Sequence, residues 1–253
     1  MSGLKPMLVK EFTEIVRTWR IWLVAGAFAF FGMADPLFTR FRNTILGSVV
    51  GDELPVADLP EPTYVDSWVQ WTGDLTQLLL IIVLVVAAAS VAAETSSGTL
   101  VMPLTKPVGR ASFVVAKFIS VVATVCLGAV IGTGLVCGVS AALFDDPQFA
   151  QLWRAVGVWL VLTVMMVAIT IAASCLVSST VAAFGIGFGI YMVMSMVAFW
   201  QPSRVYSPTG LSEVIGLLAH GQPADLAWPI GTAVLTTAGA LVVAIAIFRR
   251  REL

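Results

Sequence analysis

Residues 155–203 run for 49 positions without an Asp, Glu, Lys or Arg, and no other feature restricts the fold so sharply. As a single helix that run would be about 74 Å long at 1.5 Å per residue, more than twice the ~30 Å of hydrocarbon in a bilayer. It has to fold back, and the break is expected at the polar sequence Ser174-Cys175-Leu176-Val177-Ser178-Ser179-Thr180. A soluble core could not hide such a run. Of the 253 residues, 58% are hydrophobic and only 11% charged, where a soluble domain carries roughly 25% charged residues. The other charge-free gaps delimit further crossings. Together they predict an all-α polytopic membrane protein, a single transmembrane domain 1–253 with six spans, at about 21–38, 75–93, 118–141, 155–175, 181–200 and 227–248. Segment 39–74 becomes a long acidic outer loop, and 94–117 a connection on the other side.

Orientation follows from the basic residues. The N-terminal segment, the 94–117 connection and the C-terminal tail hold 10 of the 14 Lys and Arg but only 4 of the 15 acidic residues. Six spans place all three on one side, so both termini are expected on the cytoplasmic side. Arg40 and Arg42 run against the trend, near a span end where long side chains can snorkel.

Residues 1–20 are expected to form an amphipathic helix lying in the interface. Leu4, Met7, Leu8, Phe12, Ile15, Val16 and Trp19 recur at helical spacing, with Lys5, Lys10, Glu14 and Arg17 largely elsewhere on the wheel. A cleaved signal peptide fits poorly, because Glu11 and Glu14 precede the first apolar run and no A-x-A-like site follows. Tyr64, Trp68 and Trp71 share a helical face before span two and are expected to anchor it at the outer headgroups. Between spans five and six, Leu211, Val214, Ile215 and Leu218 predict a short re-entrant or surface helix.

Much chemistry is missing. There is no G-x-x-x-x-G-K-[ST] phosphate loop, no G-x-S-x-G and no H-E-x-x-H. His220 is the one histidine and reads as a solvated loop residue. Cys126, Cys137 and Cys175 lie in apolar runs without CxxC spacing and read as small buried residues. No basic face with interleaved aromatics is present, which excludes nucleic acid as a partner. No catalytic or metal-ligating set emerges, and the charge gaps leave no ionisable group near the middle of a span, which argues against drive by a proton gradient. Gly128-x-x-x-Gly132 and Gly134-x-x-x-Gly138 in span three predict close helix packing. Gly185-x-Gly187-x-Gly189 in span five fits either internal packing or self-association.

The most informative stretch is Glu94 to Lys117. Glu94-Thr95-Ser96-Ser97-Gly98-Thr99-Leu100, then Thr105-Lys106-Pro107-Val108-Gly109-Arg110 and Lys117, resembles the membrane subunit of bacterial ABC-2-type transporters. That family's pattern is an acidic residue, Gly-Thr-Leu, a Pro-Val/Ile-Ser-Arg turn and a lysine opening span three. Gly109 stands where serine is common, and Pro103 is additional. The resemblance implies a permease that pairs as a homodimer or heterodimer and docks two cytoplasmic ATP-binding subunits. ATP and Mg would sit on those partners, so this chain would be no enzyme and hold no cofactor. It further implies that Glu94, Gly98, Thr99, Leu100, Pro107, Arg110 and Lys117 form or support the docking contact. Spans two and five would line the path, with Leu79, Val83, Gly185 and Gly189 at the path or dimer axis. An exporter of lipophilic or amphipathic cargo is the leading expectation. The alternative is a structural or immunity-type membrane protein of the same fold that transports nothing.

Overall fold

In hydrocarbon every backbone amide must be satisfied within its own segment or by a closed sheet, and this chain answers with helices. The computed structural model describes residues 4–50, 60–96 and 109–250. Its helices are α1 (Leu4–Arg17), α2 (Trp19–Val50), α3 (Tyr64–Asp74), α4 (Leu80–Ser96), α5 (Arg110–Leu143), α6 (Phe149–Leu176), α7 (Thr180–Val197), α8 (Gln201–Tyr206), α9 (Leu211–Ala219) and α10 (Ala227–Arg250). A π-helical turn, Leu75–Leu79, joins α3 to α4 without a break, and a 3-10 turn, Pro208–Gly210, precedes α9. Among the described residues six helices are long and apolar enough to cross a membrane: α2, α3 through α4, α5, α6, α7 and α10. The long uncharged run turns back at 177–179, where the Ser179 hydroxyl accepts the Ala182 amide and caps α7.

Helices outlast the limits that charge alone implies. The helix of span one continues to Val50, and α3 already starts at Tyr64, so the described parts of 39–74 are largely helical rather than loop. Span three begins at Arg110, seven residues ahead of Lys117. The physical reason is burial. Asp35 and Lys117 are only 3% and 1% exposed, so these charges are covered by protein inside the bundle instead of marking the edge of the lipid.

Spans two and four form the centre and are the most deeply buried of the six. Trp68, Trp71, Trp159 and Phe28 are fully enclosed. Phe28 meets Trp71 and Trp159 edge-on, at centroid separations of 6.3 and 5.8 Å. Trp68 and Trp71 are therefore core residues, not headgroup anchors. Their helical spacing was readable, but an amphipathic face turned to protein and one turned to lipid look alike in sequence. The Trp71 indole donates to the Thr133 hydroxyl (3.3 Å).

The π-helical turn is held from outside its own helix. Widening a helix leaves carbonyls poorly satisfied. Here the Trp159 indole donates to the Leu75 carbonyl (2.9 Å) and the Tyr191 hydroxyl to the Thr76 carbonyl (3.0 Å). Farther along, the Ser174 hydroxyl donates to the Ala88 carbonyl and accepts the Ala92 amide, both at 2.9 Å. Polar bonds of this kind between spans contribute on the order of 1 kcal/mol each.

Glycines bring α2 and α5 together. Gly128 rests on Val24 and Phe28, and Gly132 on Trp71 and the Phe28 carbonyl. Gly134 and Gly138 meet nothing within 4 Å among the described residues, where the first of the two ladders is the one that packs. The short helix between spans five and six is α9, whose Leu211, Val214, Ile215 and Ala219 are buried. Arg17, Arg110, Arg249 and Arg250 share one end of the bundle, the basic end. Asp35, Asp66 and Asp74 belong to the opposite, acidic end.

Candidate functional site

The basic end holds a dense group of charges. On α1, Met7, Glu11 and Ile15 lie four residues apart and so share one face, and all three are buried. That face packs against α5. An acid in the middle of a buried stripe needs a partner, and Lys117 of α5 supplies it at 2.7 Å. The Lys117 ammonium also binds Glu94, at the end of α4, at 2.5 Å, and lies 5.6 Å from the Phe113 ring centroid. Lys10 reaches the same group from the rim, 3.2 Å from Glu11, 3.0 Å from Glu14 and 3.1 Å from Glu94. One buried lysine thus ties the N-terminal helix to the last turn of span two and the opening turns of span three.

The charges close among themselves. Glu11, Glu14 and Glu94 bring their carboxylates within 4.8 Å of one another, a spacing that would repel without cations between them. Lys10 and Lys117 lie in contact, and Arg20 is close enough to stabilise the Glu14 anion. Arg20 also donates to the Ala89 carbonyl (3.3 Å), fixing the start of α2 to α4. Among the described residues, three carboxylates face three cations.

Two members titrate away from their ordinary ranges. Burial opposes the Lys10 ammonium, but Glu11, Glu94 and Glu14 outweigh it and hold its pKa above the usual 10.5. Burial likewise opposes the Glu14 carboxylate, but Lys117, Lys10 and Arg20 outweigh it and hold its pKa below 4.5. The contribution of Glu14 is thus complete above pH 4.5 and fades as pH falls through its lowered folded value. That of Lys10 is complete below 10.5 and fades as pH rises through its raised one. Docking of α1 should be independent of pH from about 5 to 10 and loosen on acidification below that window. Spin labels at the exposed Val9 and Val181 should give one sharp distance across the window and a broadened one on its acid side. Broadening centred near neutrality would contradict the arrangement.

The residues singled out in the sequence are distributed unevenly. Glu94 and Lys117 meet directly. The Arg110 guanidinium donates to the Arg249 carbonyl (2.6 Å), pinning the start of α5 to the end of α10. Gly98, Thr99, Leu100 and Pro107 lie outside the described residues. Gly185 and Gly189 of α7 meet nothing within 4 Å, whereas Gly187 packs on Thr170. Leu79 and Val83 are fully buried in the chain's own core and line no open surface of it. Glu11 and Lys10 were not foreseen as part of the site. The signal was there: Glu11 is an acid flanked at four residues on each side by Met7 and Ile15.

The sequence profile described as "ABC-2 family transporter protein" matches residues 6–205. The uncharacterized transmembrane protein YxlG of Bacillus subtilis (strain 168) is 23% identical over 264 aligned positions, which cover 100% of this chain and 99% of that protein.

Proposed function

This chain belongs to the ABC-2 family of transporter proteins, and from that premise we propose that it is the permease subunit of an ATP-driven transporter. The motor is a separate ATP-binding subunit, docked at the cytoplasmic face on segment 94–117, with two copies serving a permease dimer. The observation that carries this reading is the ion pair between Glu94 and Lys117, which staples together the two helices leaving that segment. A push on the segment cannot move one span without the other, and through Glu11 it also moves α1. In this reading the basic end is cytoplasmic, by the distribution of Lys and Arg, and the membrane is the bacterial cell membrane. The α1 helix lies along the inner interface, with Phe12 and Val16 exposed beside its buried stripe. The cargo is lipophilic or amphipathic and is exported, and the open Gly185–Gly189 face of α7 contacts the second permease chain.

The test is coupled transport in proteoliposomes with the ATP-binding partner. In the Glu94→Ala, Arg110→Ala double variant, ATP hydrolysis should continue while transport falls at least tenfold. Glu94→Ala leaves Lys117 with one carboxylate fewer, and Arg110→Ala removes the hydrogen bond that pins the start of α5 to the end of α10. Transport at the unmodified rate in that variant would refute the reading, as would full activity of the chain with no ATP-binding partner present.

A further inference from the structure

At the acidic end, far from the ion-pair cluster, α2, α3, the turn after it and the end of α9 surround a cavity of about 650 Å³. Ligand pockets typically span about 300–1,000 Å³. One part of its wall is apolar, with Phe30, Phe31, Phe38 and Leu78. The other part is charged: Asp35, Asp66 and Asp74 against Arg42, with His220 at the edge.

The charged groups are not equally satisfied. One oxygen of Asp66 accepts both the amide and the hydroxyl of Thr63, each at 2.8 Å. Asp74 accepts the Gln70 side-chain amide at 3.0 Å. The His220 Nδ1–H donates to the Gly216 carbonyl at 2.8 Å. Asp35 differs. It is 3% exposed, its Oδ2 has no hydrogen-bond partner, and the group lying against it is another carboxyl, that of Asp74. A buried, donor-starved carboxyl inside a membrane-spanning helix is expensive, and such groups mark binding sites more often than packing. Asp35 and Asp74 thus lie carboxyl against carboxyl, with no cation between them among the described residues.

The missing complement is a cation that also brings N–H donors. A bare divalent ion asks for about six or more oxygen ligands, and a wall half made of phenyl rings does not offer them. An ammonium asks for two or three acceptors, and rings nearby add cation–π attraction. We propose that this cavity binds an ammonium carried on an apolar body, its nitrogen between Asp35 and Asp74 and its body along Phe30, Phe31 and Phe38. Free organic amines and the headgroup of an aminophospholipid share that chemistry. The inference needs no ATP-binding partner, so its failure would leave the coupling reading standing.

The full chain in phosphatidylcholine nanodiscs, titrated with the fluorescent primary amine monodansylcadaverine, tests it. Saturable binding is expected, at least tenfold weaker in Asp35→Asn and in Asp74→Asn, with thermal unfolding of the free variants confirming that they fold. The N-acetylated probe, identical but uncharged, should bind at least tenfold more weakly than the amine. Competition on adding phosphatidylethanolamine to the discs assigns the site to a lipid headgroup, and unchanged binding assigns it to free amines. Equal titrations for the unmodified chain and both variants, or equal binding of charged and acetylated probes, would overturn the proposal.

Discussion

Replacing Lys117 by methionine should destabilise the protein by about 3–5 kcal/mol, because removing one partner of a buried ion pair leaves the other charge uncompensated. Here two buried carboxylates, Glu11 on α1 and Glu94 on α4, lose their buried partner and keep only Lys10. Lys10 compensates them only in part, since its side chain sits at the rim, 41% exposed, and is shared with Glu14. Thermal or denaturant unfolding in detergent gives the stability, and labelling of a cysteine at Met7, 4% exposed in the folded chain, reports whether α1 has come away. The triple variant Lys117→Met, Glu11→Gln, Glu94→Gln separates charge from shape. Buried ion pairs replaced by neutral groups of similar volume are often neutral or more stable, so the triple variant should recover most of the stability. Coupled transport should stay low in it, because the electrostatic staple across segment 94–117 is gone. A single Lys117→Met variant as stable as the unmodified chain would show that the cluster is not held as described.

That lysine also shows where the sequence is transparent and where it is not. Counting gaps between charges found six crossings and the fold-back between α6 and α7, because an apolar run has few ways to satisfy its backbone in lipid. The same counting set Lys117 at the start of span three and ended span one at Phe38, three residues past Asp35. It could not see that a charge can stay inside the bundle when protein covers it, and both helices run on past these residues. The Glu94–Lys117 contact joins residues 23 apart across a connection, and nothing local in the chain announces it. The bond from Lys117 to Glu11 is more distant still. It was legible only as an oddity, an acid on the apolar stripe of α1. Trp68 and Trp71 make the complementary point: periodicity says which residues share a face, and only packing says whether that face meets lipid or Phe28.

Packing supplies the second large effect, at the crossing of α2 and α5. A Cβ on Gly132 would stand 2.6 Å from the Trp71 ring and 2.9 Å from the Phe28 carbonyl, and one on Gly32 would stand 2.5 Å from the Gly132 carbonyl. Backbone cannot swing aside as a side chain can. Gly32→Ala and Gly132→Ala must therefore force the helices apart, opening the contact of Phe28 with Trp71 and straining the Trp71–Thr133 hydrogen bond. Overpacking of this kind costs about 1–3 kcal/mol, and Gly132→Leu should exceed that range and prevent assembly of the bundle. Gly134→Ala and Gly138→Ala are the controls, since nothing lies within 4 Å of either position. Alanine there should be neutral or stabilise by up to ~1 kcal/mol through helix propensity. Unfolding midpoints in mixed detergent rank the four alanine variants, and near-ultraviolet circular dichroism reports the tryptophan cluster directly. If Gly134→Ala proved as damaging as Gly132→Ala, with the same loss of tryptophan signal, then the close approach of spans one and three through Gly32 and Gly132 would be wrong. Damage at Gly134 that appears only as loss of dimer would instead place that open face against the second permease chain.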